Sequence, residues 1–138
     1  MKRSLIMKYV YPAVFSPEEG AYNVTFPDLE GCVTFGEGMA DAIKMAEDAL
    51  CLYLYSCEED KIDIPAPSEM EHIKKEDGET VSLIACDTLE YRKYFGSHSV
   101  RKTVTVPAWL NTLAEQADLS FSAILQQGLK AQLHLDGN

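Results

Sequence analysis

Apolar and polar residues alternate or recur along this chain with two different periods. From Tyr9 to Phe15 the residues are aromatic and β-branched, and Ser16-Pro17-Glu18-Glu19-Gly20 follows with turn chemistry. Ala21 to Phe26 then alternates, with Tyr22, Val24 and Phe26 on one face and Asn23 and Thr25 on the other, as a half-buried strand requires. Pro27-Asp28-Leu29-Glu30-Gly31 interrupts, Cys32 to Phe35 forms a short third strand, and Gly36-Glu37-Gly38 closes it. The pattern predicts a three-stranded antiparallel meander. Between Met39 and Tyr53 the period changes: Met39, Ala42, Ile43, Ala46, Ala49, Leu50 and Tyr53 recur at three and four, predicting a helix across the inner face of the sheet.

Residues 58–79 hold nine acidic residues and three lysines, with Pro65 and Pro67 barring a regular element, and read as an exposed, charged connection. Val81 to Cys86 is apolar and β-compatible and predicts a fourth strand, followed by a brief helix over Leu89 to Phe95. Gly96-Ser97-His98-Ser99 reads as a hinge. Beyond it, Val100 to Val106 predicts a strand, and two short amphipathic helices follow. The first opens with Pro107 and carries the stripe Leu110, Leu113, Ala114 and Ala117. The second is capped by Ser120, carries Phe121, Ile124, Leu125, Gly128 and Leu129, and ends before Asp136-Gly137-Asn138.

A strand and two helices in some forty residues cannot bury enough apolar surface alone, and no metal or disulfide is at hand to staple them. Pairing the strand with its own copy across a two-fold axis covers both the apolar stripes and the open backbone edge, so the sequence predicts an obligate dimer. Alternation turns Val104 and Val106 inward, where Leu110, Leu113, Ile124 and Leu125 complete the dimer core, and turns Arg101, Thr103 and Thr105 outward. Lys102 shares the inward face at the strand's start, where its stem can pack while its ammonium reaches solvent. A two-stranded ribbon fits the DNA major groove, where Arg101 can reach guanine bidentately and the threonines can offer a hydroxyl and a methyl. Ser120 and Ser122 at the start of the last helix are placed to meet a phosphate. Gly128 weakens its helix by about 1 kcal/mol relative to Ala, for which close helix approach across the dimer is a reason.

Length and composition bound the rest. The 138 residues, 46% hydrophobic and 25% charged, allow one ordinary domain or a domain and a small module. No run of eighteen apolar residues exists to span a bilayer, and the opening MKRSLIMKYVYPAVF makes a poor secretory signal, so a cytoplasmic location with no membrane partner is expected. Cys32, Cys51, Cys57 and Cys86 lack CxxC spacing and read as buried thiols. The charge of −10 is the informative quantity. Residues 1–96 hold nine Lys/Arg against 19 Asp/Glu, whereas residues 97–138 hold three of each. An acidic first part repels phosphate and favours a basic protein partner.

The run RKTVTVPAWLNTLAEQADLSFSAILQQGLKAQL resembles the ribbon-helix-helix family of dimeric DNA-binding proteins over nearly all of residues 100–134. That resemblance implies that Arg101, Thr103 and Thr105 enter the major groove and that Ser120 and Ser122 contact the backbone. The module departs from the family in being neutral rather than basic, so its phosphate contacts are few. Upstream, YPAVFSPEEGAYNVTFPDLEGCVTFGEGMADAIKMAEDALCLYL followed by IPAPS resembles the HicB family of antitoxins. This second resemblance implies a partial RNase H-like fold without a working nuclease site. It also implies a HicA-type toxin, a small basic ribonuclease, as partner, and repression of the shared operon.

The expected fold is therefore α+β: residues 1–96 form a HicB-like toxin-neutralising domain, a partial RNase H-like antiparallel sheet with one main helix. Residues 97–138 form a ribbon-helix-helix module for dimerisation and operator DNA. A metal-dependent nuclease would need carboxylates converging on two ions, but Asp28, Glu30, Asp41, Asp48 and Asp87 sit mostly in turns or on the solvated side of a helix. His72, His98 and His134 lack ligand spacing, and Trp109 reads as a packing anchor. No enzyme activity, metal or other cofactor is expected. The favoured function is an antitoxin that masks a HicA-type toxin and, as a dimer or higher oligomer, represses its own operon; the alternative is a stand-alone ribbon-helix-helix repressor with a ligand-sensing first domain.

Overall fold

The structure, a computed structural model, describes residues 8–135; the basic head at 1–7 and Asp136-Gly137-Asn138, before which the last helix is expected to end, lie outside the described residues. The chain divides into two compact units between His98 and Ser99.

The first unit contains strands β1 (Lys8–Glu18), β2 (Ala21–Thr25) and β3 (Val33–Glu37), helix α1 (Met39–Glu59), a 3-10 turn at Met70–His72, strand β4 (Thr80–Asp87) and helix α2 (Thr88–Phe95). The strands form one antiparallel sheet in the order β3-β2-β1-β4. β1 runs past the predicted end at Phe15, because Glu18 pairs with Ala21 and leaves only Glu19 and Gly20 in the turn. Both have positive φ, 48° and 84°, the two-residue geometry whose twist suits a hairpin. Pro12 costs no ladder bond on the β2 side, since β2 pairs with β1 only from Val14 onward.

Tyr11, Ala13, Phe15, Val24, Ile84 and Cys86 line the inner face of the sheet, and Ala42, Ala46, Leu50 and Leu54 of α1 pack on them with Phe26, Leu29 and Cys32. The larger of these side chains each stabilise the unit by about 1.5–3 kcal/mol. α1 extends beyond the predicted Tyr53 because Leu54 and Cys57 continue the buried stripe, while Met39 and Ile43 lie at its margin. Its start is fixed by a close approach: a Cβ on Gly36 would lie 2.5 Å from the Ala42 Cα and N. Two further bonds hold that corner, Glu37 N–H to the Asp41 carboxylate at 2.9 Å and Gly38 N–H to the Gly20 carbonyl at 3.2 Å.

The charged connection is pinned rather than free of the core. Ile64 packs on the core, Tyr11 OH donates to the Pro65 carbonyl, and Asp28 accepts from both Ser68 N–H (2.9 Å) and Ser68 Oγ (2.5 Å). Of the four cysteines, all with free thiols, Cys32, Cys57 and Cys86 are buried as expected, but Cys51 is only half-buried, at the flank of α1.

The second unit holds α3 (Ala108–Gln116) and α4 (Phe121–Gln132). Ser120 caps α4 by accepting from Ala123 N–H at 3.2 Å, and Pro107 is the cap of α3 rather than its first residue. Val100–Val106, expected to pair with its own copy, has no ladder in the single chain: among the described residues no neighbour pairs with 99–107, and a strand exists only through its ladder. None of the described residues of this unit is buried.

Candidate functional site

Two surfaces carry candidate function, one in each unit. In the second unit Arg101, Thr103 and Thr105 are all exposed on the unpaired segment, so each is available to a ligand. Ser120 is engaged as the cap of α4, and Ser122 accepts from Gln126 Nε2 at 3.3 Å on the same first turn. The predicted dimer-core residues Val104 (59% exposed), Val106, Leu110, Leu113 (54%), Ile124 and Leu125 are uncovered in the single chain, as is Trp109 at 66%. The apolar stripes of both α3 and α4 are uncovered, and large uncovered apolar areas are rarely left to water by soluble proteins.

In the first unit the acidic side chains are distributed rather than gathered. Asp28 ties down Ser68, Asp41 caps the Glu37 amide, and Asp87 accepts from Leu89 N–H at 2.9 Å to start α2. Each backbone amide bonded this way uses the carboxylate for local structure. Among the described residues, the group of metal-capable side chains within 4.8 Å of one another is Glu69, Glu71 and His72, all exposed and none of them among the carboxylates weighed from sequence. His98 and His134 are exposed and do not belong to that group.

Glu58 is the functional-looking group that sequence reasoning missed, since it sits in the run Glu58-Glu59-Asp60 and reads as solvated acid. Its Oε2 accepts from Tyr9 OH (2.7 Å) and Thr88 Oγ1 (2.8 Å), and its Oε1 pairs with Arg92 Nη2 at 2.8 Å. Arg92 also bonds Glu59 and lies over the Tyr55 ring at 4.8 Å. Desolvation, with Glu58 beside it, pushes the Tyr9 hydroxyl far above its ordinary pKa, while Glu59 and Glu58 hold the Arg92 guanidinium charged. This network ties β1, the end of α1 and α2 into one body, and its role is structural.

On the other flank of α1 a groove of about 480 Å³ opens between Ala49, Leu52, Tyr53 and Ser56 and the start of β3 at Gly31-Cys32-Val33, closed at one end by Asp60 and Ile62. Burial pushes the Cys32 thiol at its floor up to about 11, so it is a packing group and not a nucleophile at neutral pH. Tyr53 OH donates to the Glu30 carbonyl at 3.0 Å and fixes the groove's wall.

The fold is α+β, with an acidic unit that carries an apolar groove and a helical pair whose apolar stripes are exposed. Comparison with known proteins gives the family. Residues 11–127 match the model of the HicB-like antitoxin of bacterial toxin–antitoxin systems, and the chain belongs to that family. It is 35% identical over 74 residues to Antitoxin HicB 1 of Photorhabdus laumondii, a match covering 51% of this chain and 48% of that protein, so the chain matches about half the length of this curated relative. Among solved structures it is similar to a toxin–antitoxin complex from Streptococcus pneumoniae (26% identity, TM-score 0.59, 91% of this chain and 99% of that one). It also shares the fold of the Burkholderia pseudomallei antitoxin HicB (21% identity, TM-score 0.50, 96% of this chain and all of that one). No helix among the described residues is long and apolar enough to cross a membrane.

Proposed function

We propose that the chain is a two-part cytoplasmic antitoxin. Its acidic first unit, a partial RNase H-like sheet under α1, masks a HicA-type mRNA-cleaving toxin by covering a basic surface. Its second unit pairs with a copy of itself through residues 100–106, forms a ribbon-helix-helix dimer over Val104, Val106, Leu110, Leu113, Ile124 and Leu125, and represses its own operon. The ribbon then presents Arg101, Thr103 and Thr105 to the major groove, with Ser120 and Ser122 near the phosphates. Inhibition on this reading is steric and electrostatic, with no chemical step.

The observation that carries the reading is that one family match, residues 11–127, runs across both units, the acidic one and the uncovered one. Charge separation supports it, since the acid excess lies wholly before residue 97. Co-expression with the reading frame next to its gene tests it: a small basic protein should co-purify, and the chain should rescue growth when that protein is induced. Recovery of the chain alone, with no rescue, refutes the masking role. Gel-shift of the promoter by the full chain tests the second role, with loss of the shift below the dimer's dissociation constant expected.

A further inference from the structure

We infer that the groove between α1 and the start of β3 is the seat of the toxin, receiving an apolar side chain that the toxin presents beside its lysines or arginines. The inference rests on the antitoxin reading above and adds the place and chemistry of contact. Leu52, Val33 and Ile62 line the groove and are 53%, 62% and 57% exposed, so three large apolar side chains meet solvent at one hollow. A preformed pocket with apolar walls is the form that anchor sites take at protein interfaces, because little ordering is left to be done on binding. Here the wall is held by the Tyr53 to Glu30 hydrogen bond, and the floor by buried Cys32 and Cys57.

The charge around it selects the occupant. α1 carries five carboxylates against one lysine. Glu58 and Glu59 are engaged with Arg92 and Asp41 with the Glu37 amide, which among the described residues leaves Asp48 and Glu47 without an Arg or Lys partner. Asp48 precedes Leu52 by one helical turn and Asp60 closes the groove, so carboxylates flank the apolar mouth along the helix. An acidic rim about an apolar hollow repels nucleic acid and acidic proteins and accepts a basic protein with an apolar anchor. β3 is moreover an edge strand of the sheet, so the groove is open to an approaching partner along that side.

The test is titration calorimetry of the full chain against the purified toxin encoded beside its gene. Ser56→Phe fills the groove and Leu52→Glu places a charge at its mouth; both positions are exposed, and retained tyrosine near-UV dichroism verifies folding. Leu83→Glu, 52% exposed on the opposite face of the sheet, is the control. Kd should rise about tenfold or more for both groove variants and stay within about twofold for Leu83→Glu. As a second measurement, Ser56→Cys carrying an environment-sensitive fluorophore should shift to the blue when toxin is added. Unchanged affinity in both groove variants, loss confined to Leu83→Glu, or an unshifted fluorophore in a formed complex each overturns the inference while leaving the antitoxin reading standing. Absence of binding by the unaltered chain overturns that reading and the inference with it.

Discussion

Gly36→Ala should be the most damaging glycine substitution in the first unit, although its backbone has no need of a left-handed conformation. The added Cβ would sit 2.5 Å from Ala42 Cα and N and 2.8 Å from Asp41 C, all backbone atoms at the first turn of α1. Ordinary carbon contacts are about 3.5–4.0 Å, so roughly 1 Å of movement is required. That movement is resisted by Ala42, which is fully buried, and by the bonds from Glu37 to Asp41 and from Gly38 to Gly20. Overpacking by one carbon costs about 1–3 kcal/mol, and rigid backbone as the obstacle places this case near the top of that range. For a domain of this size each kcal/mol lowers Tm by about 4–8 °C, giving a fall of roughly 10–20 °C. Gly20→Ala and Gly38→Ala, at φ 84° and 83° with nothing within 4 Å of the new Cβ, should cost about 1–2 kcal/mol each. All seven tyrosines lie between Tyr9 and Tyr94 and the single tryptophan is Trp109, so thermal melts followed by the tyrosine near-UV band read the first unit. A Gly36→Ala chain that melts no lower than Gly38→Ala refutes the reasoning.

Glu58→Ala removes an acceptor shared by Tyr9, Thr88 and Arg92 and should lower stability by about 3 kcal/mol in urea, the upper range for hydrogen bonds to a charged group; a change under about 0.5 kcal/mol would show the network to be idle. The Cys32 thiol is raised from 9.0 to about 11 by burial, so its contribution is complete below pH 9 and is lost as pH climbs through 11. Urea midpoints should accordingly fall between those values, less steeply in Cys32→Ala, and parallel slopes in the two chains would contradict this. Arg101→Ala should lose about 1–3 kcal/mol of discrimination between operator and random DNA while toxin binding stays unchanged; equal loss of both would join functions assigned here to separate units. Gly128→Ala meets open space in the single chain, yet should weaken self-association measured by sedimentation if α4 packs closely on its copy. A dimer of undiminished affinity, with α4 stabilised by about 1 kcal/mol, would place that glycine outside the seam.

Where local pattern and tertiary packing agree, the sequence was legible. The alternation of Tyr22, Val24 and Phe26 and the helical stripe through Ala42, Ala46 and Leu50 mark the faces that the structure buries, apart from Tyr22, which is only half-covered. Boundaries slipped where long-range pairing decided them: β1 reaches Glu18 because β2 is there to receive it, and α1 reaches Glu59 because Leu54 and Cys57 still face the sheet. The connection 58–79 shows no period, so nothing local could reveal that Tyr11 and Asp28, some forty to fifty residues away, hold Pro65 and Ser68. Glu58 was hidden for the same reason, as its three partners come from β1 and α2. The groove has a local trace in exposed Leu52 one turn from Asp48, but its opposite wall comes from the start of β3. Arg101, Thr103 and Thr105 alternate in the sequence, but the row they are proposed to form needs a ladder partner that the single chain does not supply.

A helical unit with no buried residue among those described has a consequence for dose. If such a unit is completed only by its twin, the amount of finished DNA reader at low abundance grows with the square of the number of chains. Halving the chains at cell division then leaves about a quarter of the readers, so the promoter is released sharply and refilled sharply. On that reading the steepness would come from leaving the interior of α3 and α4 unfinished in each copy.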